Sequence, residues 1–339
     1  MRIRLLLLIL PLLTVSCVED LDYDISDAAE VPVINAMWNA SEQTHDVFLC
    51  TSGAYKVNEP KELAHIYCYI NGYLAAETEE FETVNTSRGI TFHKYSLNAP
   101  LRENDKVRLV VKIADTELFA DATVPASPTV TIDTVSVDKT YRDYFGRPVK
   151  ITRDYTITMT VEDPPEDASF YRLYYPGLHV ESHRIDNGQL KNTQDFNQLP
   201  VNEDDPVFNN VPIHFPEEIM LELPFLGGSV TNSNHVFTDE LFEGGSHSFV
   251  FDIPESQYLP GSAGTGEYIT YDARFRLACI SWNEYVYLLS ANAASSIYAD
   301  PMAEPVVMPS NINNGLGIFS INNTYDKIIR LENQSWPEN

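Results

Sequence analysis

Apolar and polar residues alternate along several segments of the chain, which is the pattern of β-strands. Residues 107–113, 155–161 and 271–279 have apolar side chains at every second position, with mostly polar side chains between them. Because successive side chains of a strand point to opposite faces, each segment predicts a strand with one buried face. Asn71-Gly72 lies between two further strand-like segments and predicts a two-residue hairpin, because both central residues of that turn need positive φ.

One segment has helical spacing instead. Apolar residues recur at intervals of three and four over 282–298. Ser281 and Glu284 form a capping box at its start, in which the hydroxyl and the carboxylate satisfy early backbone donors. The aromatic stripe that begins with Trp282 and Tyr285 is typical of a helix face packed on a core. We predict one helix here, lying across a sheet.

Polar and proline-rich stretches divide the chain into two predicted domains. Residues 30–126 predict an N-terminal Ig-like β-sandwich of about five or six short strands, closed by a proline-rich boundary. Residues 127–339 predict a C-terminal, elaborated β-sandwich with the one packed helix. Between 186 and 234 the alternation fades into Asn, Pro, Asp and Glu, which predicts a surface insertion and not a core element. The predicted fold is therefore mostly β, with two β-sandwich domains.

Residues 1–16 have the organisation of a lipoprotein signal peptide. Two arginines precede an apolar run over 5–15, and Ser16-Cys17 follows. The run is shorter than the ~18–20 apolar residues that a membrane-spanning helix requires. A small residue directly before a cysteine suits lipoprotein signal peptidase, which cuts ahead of a cysteine that already carries a diacylglyceryl thioether.

Cys17 is therefore the predicted lipidation site. We expect a diacylglycerol and an N-acyl chain on Cys17, which together anchor far better than a single chain, and no cofactor besides them. Residues 17–29 then form an acidic, polar tether. Ordinary secretion, with cleavage at another position, is the alternative.

Acidic residues strongly outnumber basic ones. The chain has 49 Asp and Glu against 22 Lys and Arg, a formal charge of −27, and removal of the two arginines within residues 1–16 makes it −29. Such a chain, without a basic stripe, repels the phosphate backbone of nucleic acid. We therefore predict no nucleic-acid partner.

No catalytic or metal-binding motif is recognisable. The zinc-protease, nucleophile-elbow, phosphate-loop and dinucleotide patterns are missing, and the eight histidines are scattered. The acidic run 202–205 lacks the alternating oxygen ligands and the turn glycine of a calcium loop. We predict no catalytic residue and no metal site. A pair of carboxylates that hydrolyses glycosides stays open as an alternative, because acidic residues are abundant and the sequence selects no particular pair.

Three cysteines follow the predicted lipidation site: Cys50, Cys68 and Cys279. Their odd number excludes a complete disulfide framework. Cys50 and Cys68 lie on the apolar faces of neighbouring strand-like segments, so we interpret them as buried free thiols, with one bridge between them as the alternative. Cys279 is interpreted as an apolar core residue.

Thr134 is a candidate modification site. Asp133-Thr134-Val135 matches the short acid–hydroxyl–apolar pattern that Bacteroidota use for O-glycosylation of exported proteins. A pattern of this length has little specificity, so the prediction rests on its position beside the expected domain boundary.

Three stretches of the C-terminal half carry a family resemblance: 155–173, with Pro164-Pro165 and Phe170-Tyr171-Arg172-Leu173; 237–244, with Phe237-Thr238-Asp239; and 303–319, with Asn314-Gly315-Leu316-Gly317. They resemble the Bacteroidota lipoproteins described as domain of unknown function 4249. The resemblance implies an outer-membrane lipoprotein encoded beside a TonB-dependent transporter, and it carries over no catalytic residue. In this group, an acidic stretch after the lipidated cysteine directs the protein to the cell surface.

Glu19-Asp20 resembles that surface-export signal, so we expect the protein on the outer face of the outer membrane, with the periplasmic leaflet as the alternative. The leading hypothesis is a non-catalytic accessory lipoprotein that binds a glycan or peptide and docks against the transporter. One alternative is an adhesin or fimbria-like subunit, with residues 325–331 as a strand that is donated to a neighbour. Another is a hydrolase of surface polymers.

Overall fold

The computed structural model describes residues 30–53, 57–87, 89–142, 144–165, 169–186, 189–209, 232–253, 268–297 and 307–331. Cys17, Glu19 and Asp20, with the expected signal peptide and tether, lie outside these residues. In the described part the protein is mostly β with one long packed helix, which confirms the predicted fold class.

The strands are β1 (Val31–Asn39), β2 (Thr44–Ser52), β3 (Val57–Asn58), β4 (Ala64–Ile70), β5 (Tyr73–Thr78), β6 (Phe81–Asn85), β7 (Thr91–Asn98), β8 (Lys106–Ile113), β9 (Thr116–Thr123), β10 (Thr129–Arg142), β11 (Pro148–Glu162), β12 (Phe170–Leu173), β13 (Gly177–Asp186), β14 (Gln189–Gln198), β15 (Val236–Thr238), β16 (Ser246–Ile253), β17 (Tyr268–Ile280) and β18 (Leu316–Leu331). A single helical turn, α1 (Pro206–Asn209), precedes the long helix α2 (Trp282–Ile297).

The first sandwich encloses an apolar core between two sheets. A four-stranded sheet of order β5-β4-β8-β9 covers one side, and β1, β2, β7 and β6 of a larger sheet cover the other. Side chains such as Trp38, Tyr95 and Leu109 are buried between them, because apolar residues occupy alternate positions of these strands. The predicted hairpin joins β4 to β5, with φ of 53° at Asn71 and 85° at Gly72.

The last strand joins the two halves of the protein. The first part of β18 pairs in parallel with β1, and the rest pairs with β17, so one sheet runs in the order β14-β13-β17-β18-β1-β2-β7-β6. Ile312, Phe319 and Ile321 are buried in the core of the first sandwich. This differs from the expected boundary at residue 126, because the first sandwich needs a strand from the other end of the chain. Parallel pairing sets no limit on sequence separation, and the alternation of β18 reveals a strand but not its neighbour.

A second core lies under a three-stranded sheet of order β10-β11-β16. Ile157, Met159 and Val161 of β11 are buried there against side chains of β17 such as Phe275 and Leu277. The segments 155–161 and 271–279 therefore form strands with one buried face, as their alternation predicts.

The predicted surface insertion over 186–234 is wrong for its first part. Strand β14 pairs along the whole of β13 and extends the large sheet. After it, Leu199, Val201, Val207 and Phe208 belong to the second core. Polar residues can form a strand when a neighbouring strand supplies backbone partners. The lack of apolar alternation over 189–198 therefore did not exclude a strand there. Residues 210–231 lie outside the described part.

Helix α2 covers the large sheet at the place where the two halves meet. Its buried face packs on β12, β15 and β18, which confirms the predicted helix and its core-facing aromatic stripe. The Ser281 hydroxyl accepts a hydrogen bond from the Glu284 backbone N–H (3.2 Å), so this serine caps the helix as predicted. The Glu284 carboxylate does not complete the capping box. It turns inward and is fully buried, with Oε1 accepting a 3.4 Å hydrogen bond from Asn322 Nδ2.

The three described cysteines are free, so the alternative of a bridge between Cys50 and Cys68 is wrong in this structure. Burial raises the pKa of the Cys50 thiol to about 11 and that of Cys68 to about 12. Burial also raises the pKa of Cys279 to about 12. These thiols act as small apolar side chains, because a thiol with a raised pKa is seldom the reactive thiolate.

Candidate functional site

A groove of about 1040 Å³ lies between the exposed face of the four-stranded sheet and the start of α2. Strands β8 and β9 contribute Lys106, Arg108 and Asp121 to one side, and Phe170 and Trp282 lie on the other. We call this feature the β8–α2 groove. It is the point at which the first sandwich faces the helix of the second half.

The charged side of the groove follows from the alternation of β8. Lys106, Arg108 and Lys112 are exposed on one face of β8, with Val110 between them on that face, while Val107, Leu109 and Val111 enter the core of the first sandwich. Three cations therefore lie in one row on a protein whose formal charge is −27. The row is short, but it differs in sign from the protein as a whole.

An ion pair fixes the middle of this row. Arg108 donates from Nε to Asp121 Oδ1 and from Nη2 to Asp121 Oδ2, both at 2.7 Å. The hydrogen bonds from Arg108 lower the pKa of Asp121, and those to Asp121 raise the pKa of Arg108. The Arg108 guanidinium also lies 5.1 Å from the centre of the Phe119 ring. Both groups are held in their charged forms and in one orientation.

The aromatic side of the groove is anchored in the protein interior. The Phe170 and Trp282 rings lie 5.2 Å apart, and each contacts the buried ring of Tyr285. Tyr285 fixes the two outer rings, which remain partly exposed at the groove. Flat apolar faces beside an oriented ion pair suit the recognition of sugar rings or peptide side chains.

The Arg108–Asp121 pair of the groove is poorly suited to proton transfer. A general acid or base needs a pKa near the working pH. The Arg108–Asp121 pair moves both of its pKa values away from neutrality, because each partner stabilises the charge of the other.

Two aspartates hold together the turn at 237–244. Tyr171 donates from its hydroxyl to Asp163 Oδ1 (2.8 Å), and the Gly244 N–H donates to Asp163 Oδ2 (3.1 Å). Asp239 Oδ2 accepts a 2.7 Å hydrogen bond from the Ser169 N–H. The aspartates therefore tie this turn to the end of β11 and the start of β12.

Glycines allow the start of β18 to approach β1 closely. Gly317 has φ of 108°, and a Cβ there would lie 1.9 Å from the Ile34 carbonyl oxygen. A Cβ on Gly315 would lie 2.3 Å from the Leu118 side chain. Neither position accepts a larger residue without displacing its neighbour. Asn314 Nδ2 donates to the Glu117 carbonyl (3.0 Å), which fastens the same turn to β9 beside the groove.

A family model described as domain of unknown function (DUF4249) matches residues 18–328. The chain belongs to the DUF4249 family. No curated protein matches the chain.

The stretches that carry the family resemblance have architectural roles in this DUF4249 protein. Asn311 Nδ2 donates to the Phe319 carbonyl (2.7 Å), and the Phe319 N–H donates to Asn311 Oδ1 (2.9 Å), which shapes the turn into β18. The Asp239 carboxylate accepts the hydrogen bond of the Ser169 N–H and so ties the 237–244 stretch to the start of β12. Gly315 and Gly317 of the third stretch allow its close approach to β1 and β9.

Thr134 lies on β10, outside the groove, with an exposed side chain. The neighbouring Val135 is 62% exposed. A glycosyltransferase can reach a side chain in this position. O-glycosylation of Thr134 stays a prediction.

The acidic run 202–205 has structural contacts. Asp205 Oδ1 accepts a hydrogen bond from the Val207 N–H (3.1 Å) at the start of α1, and Asp205 Oδ2 pairs with His247 Nε2 (3.1 Å). Over the described ranges, no group of three or more His, Cys, Asp and Glu is placed to hold a metal ion. Within the same ranges, no helix is long and apolar enough to cross a membrane.

The strand proposed for donation in the adhesin alternative is already paired within this chain. Residues 323–331 of β18 pair with β17, and the preceding residues of the same strand pair with β1. Donating residues 325–331 would break their pairing with β17. That position counts against a donated strand at 325–331.

The groove was missed by the sequence analysis. The alternation over 107–113 was interpreted only as a strand, although its polar positions carry the row of cations. The excess of positive charge on one face of a single strand in a strongly acidic chain was the available signal. The opposite side of the groove gave no comparable signal, because Phe170 and Trp282 come from distant parts of the chain.

Proposed function

We propose that this DUF4249 protein is a non-catalytic binding lipoprotein that holds a glycan or a peptide in the β8–α2 groove. It is anchored through Cys17 to the outer membrane, on the cell surface, beside a TonB-dependent transporter. The observation that carries the binding role is the groove, with an anchored aromatic side opposite a fixed ion pair.

The dimensions of the groove favour a chain-like ligand. Its volume of about 1040 Å³ is at the upper end of the range for small-molecule sites, which is about 300–1,000 Å³. A ligand of several sugar units or several amino acids fills such a space better than a single metabolite. The aromatic rings would stack on its flat faces, and Lys106 and Arg108 would orient its acidic or hydroxyl groups.

The location and the transporter rest on the N-terminal residues and on the family resemblance. Ser16-Cys17 fits the processing of a lipoprotein, and Glu19-Asp20 resembles the signal for surface export. A surface lipoprotein with a ligand groove is suited to collecting a polymer fragment and presenting it to a transporter.

Binding is tested with glycan and peptide arrays probed by the full-length processed protein. The groove variant is Lys106→Glu, and the control is Lys327→Glu, an equal charge change at an exposed position of β18. We expect the control to bind like the wild type and the groove variant to bind about tenfold less, because a buried or partly buried charge contact contributes about that factor. Equal losses in both variants, or no ligand for the wild type, would contradict the proposal.

Anchoring and partnership need separate measurements. Palmitate labelling of the wild type and of Cys17→Ala tests the lipid, and equal labelling would rule out Cys17. Crosslinking of whole cells, followed by purification from solubilised outer membrane, tests the transporter. Recovery of the lipoprotein without any transporter would remove that part of the proposal and leave the groove untouched.

A further inference from the structure

The β10–β11 hairpin extends beyond the sheet that contains it. Strand β16 pairs with β11 only from Tyr155 to Glu162, whereas β10 and β11 pair with each other as far as Arg142 and Pro148. The part from 139 to 153 is therefore a two-stranded ribbon without a third strand beside it in the described structure. Its tip lies away from both cores.

Two aromatic side chains are exposed at the tip. Tyr144 is 98% exposed and Phe145 is 78% exposed, with their ring centres 5.6 Å apart. The turn itself is fixed, because Arg142 Nη1 donates to the Gly146 carbonyl (2.8 Å) and Gly146 has φ of 77°. The Arg147 guanidinium lies 5.5 Å from the centre of the Phe145 ring. Aromatic residues are enriched at interaction surfaces relative to the rest of the protein surface.

The charge near the tip is opposite to that of the protein. Residues 139–150 contain four basic residues and one acidic residue, while the whole chain has a formal charge of −27. A cationic tip on an acidic protein is attracted to an anionic surface and orients the protein toward it. The combination of aromatic rings with flanking arginines is the one that side chains adopt at a membrane–water interface.

We propose that the tip of the β10–β11 hairpin is a membrane contact, with Tyr144 and Phe145 in the interfacial region of a bilayer and Arg142 and Arg147 at anionic headgroups. The contact is shallow, at about the 5–10 Å depth of interfacial segments, because the ribbon satisfies its own backbone hydrogen bonds only between its two strands. This surface is separate from the groove and does not depend on any groove ligand. It would give the protein a second point of attachment beside the lipid on Cys17 and so restrict its orientation on the membrane, a role that rests on the proposed anchoring.

A comparison of two tryptophan variants tests the contact. Tyr144→Trp places a fluorophore at the tip, and Tyr73→Trp places one at the 80% exposed position beside the Asn71-Gly72 turn. Both keep an aromatic residue, and both retain the native tryptophans as a common background. The full-length processed protein is mixed with phosphatidylglycerol-containing vesicles that carry brominated acyl chains. We expect quenching above the wild-type level for Tyr144→Trp and not for Tyr73→Trp.

The electrostatic part is tested with the same fluorophore. Replacing phosphatidylglycerol by phosphatidylcholine, or adding Arg147→Gln to Tyr144→Trp, is expected to shift the equilibrium between inserted and free tip by about fivefold per charge contact. No excess quenching at position 144, equal quenching at both positions, or no response to headgroup charge would overturn the proposal. Crosslinking of the tip to a protein in native membranes, without quenching by lipid, would assign the surface to a protein partner and would equally overturn it.

Discussion

The buried carboxyl of Glu284 lowers the stability of the folded protein when it is ionised. The side chain is fully buried under α2, and burial raises the pKa of its carboxyl. The hydrogen bond from Asn322 and the charge of Arg172 act in the opposite direction but are outweighed. The ionised form is therefore disfavoured in the folded protein, since a buried charge needs full compensation.

Replacement of this carboxyl should change the pH dependence of stability. The folded protein binds the Glu284 proton more tightly than the unfolded chain, whose carboxyl has an ordinary pKa of about 4.3. The wild type therefore loses stability as pH rises from that value through the raised pKa of the folded state. Glu284→Gln cannot ionise, and we expect it to exceed the wild type by about 1–2 kcal/mol in the free energy of unfolding near pH 8, with a smaller gain near pH 5.

Urea denaturation at several pH values measures this difference. Glu103→Gln, at an exposed position, is the control and should show no such trend. A gain for Glu284→Gln that stays constant with pH, or a loss at pH 8, would show that the buried carboxyl is not held in its neutral form.

Individual elements are joined by polar contacts as well as by apolar packing. Asn292, fully buried on α2, accepts hydrogen bonds at Oδ1 from Ser233 Oγ (3.0 Å) and from Asn234 Nδ2 (2.7 Å). Its Nδ2 donates to Asn232 Oδ1 (3.0 Å). The segment before β15 is therefore fastened to the helix, and β15 carries Phe237 into the second core. A buried network of this kind specifies one position for the helix only if its members are all satisfied.

Replacement of Asn292 should loosen the contact between α2 and the segment 232–234 that precedes β15. Asn292→Ala leaves several partly buried donors without this acceptor and removes a buried amide, so we expect a loss of about 1–3 kcal/mol in the free energy of unfolding. Asn283→Ala, an exposed position on the same helix, should change it by less than about 0.5 kcal/mol. Hydrogen exchange would locate the loss: faster exchange should be concentrated in α2 and β15. An effect equal to that of the control would mean that apolar packing alone positions the helix.

At the scale of the whole molecule, local patterns predicted the elements but not their partners. The alternation over 107–113, 155–161 and 271–279 and the helical spacing after Ser281 gave correct elements, because each depends on neighbours in the chain. The pairing of β18 with β1 depends on residues at opposite ends of the chain. No period in the sequence encodes such a contact.

The sequence patterns also did not predict the places where polar residues are buried or form a strand. Strand β14 has few apolar residues, and its place in the sheet comes from backbone pairing with β13. Only half of the predicted capping box forms. Ser281 caps the helix, but the Glu284 carboxylate points into the interior and does not bond a backbone N–H at the helix end. The groove joins parts that lie far apart in the chain, so only the cations of β8 were visible beforehand.

The shared strand has a consequence for folding. Residues 30–126 alone lack Ile312, Phe319 and Ile321, which are buried in the first core. Loss of a large buried apolar side chain costs about 2–5 kcal/mol, and three such losses approach the 5–15 kcal/mol that stabilises a typical domain. Strand β1 also loses its parallel partner. We therefore expect residues 30–126 alone to lack a cooperative unfolding transition.

A peptide of residues 307–324 added in trans should restore that transition, because it supplies the missing strand and the three apolar side chains. Its matched control carries Gly317→Ala, which cannot fit because a Cβ would meet the Ile34 carbonyl. Circular dichroism during heating and the dispersion of amide proton signals measure both results. A cooperative transition of residues 30–126 without the peptide would show that the first sandwich is self-contained. Equal rescue by the two peptides would show that contact with β1 at Gly317 is not what the peptide provides. If only the native peptide restores folding, the two sandwiches form one cooperative unit, since the strand that completes the first also pairs with β17 of the second.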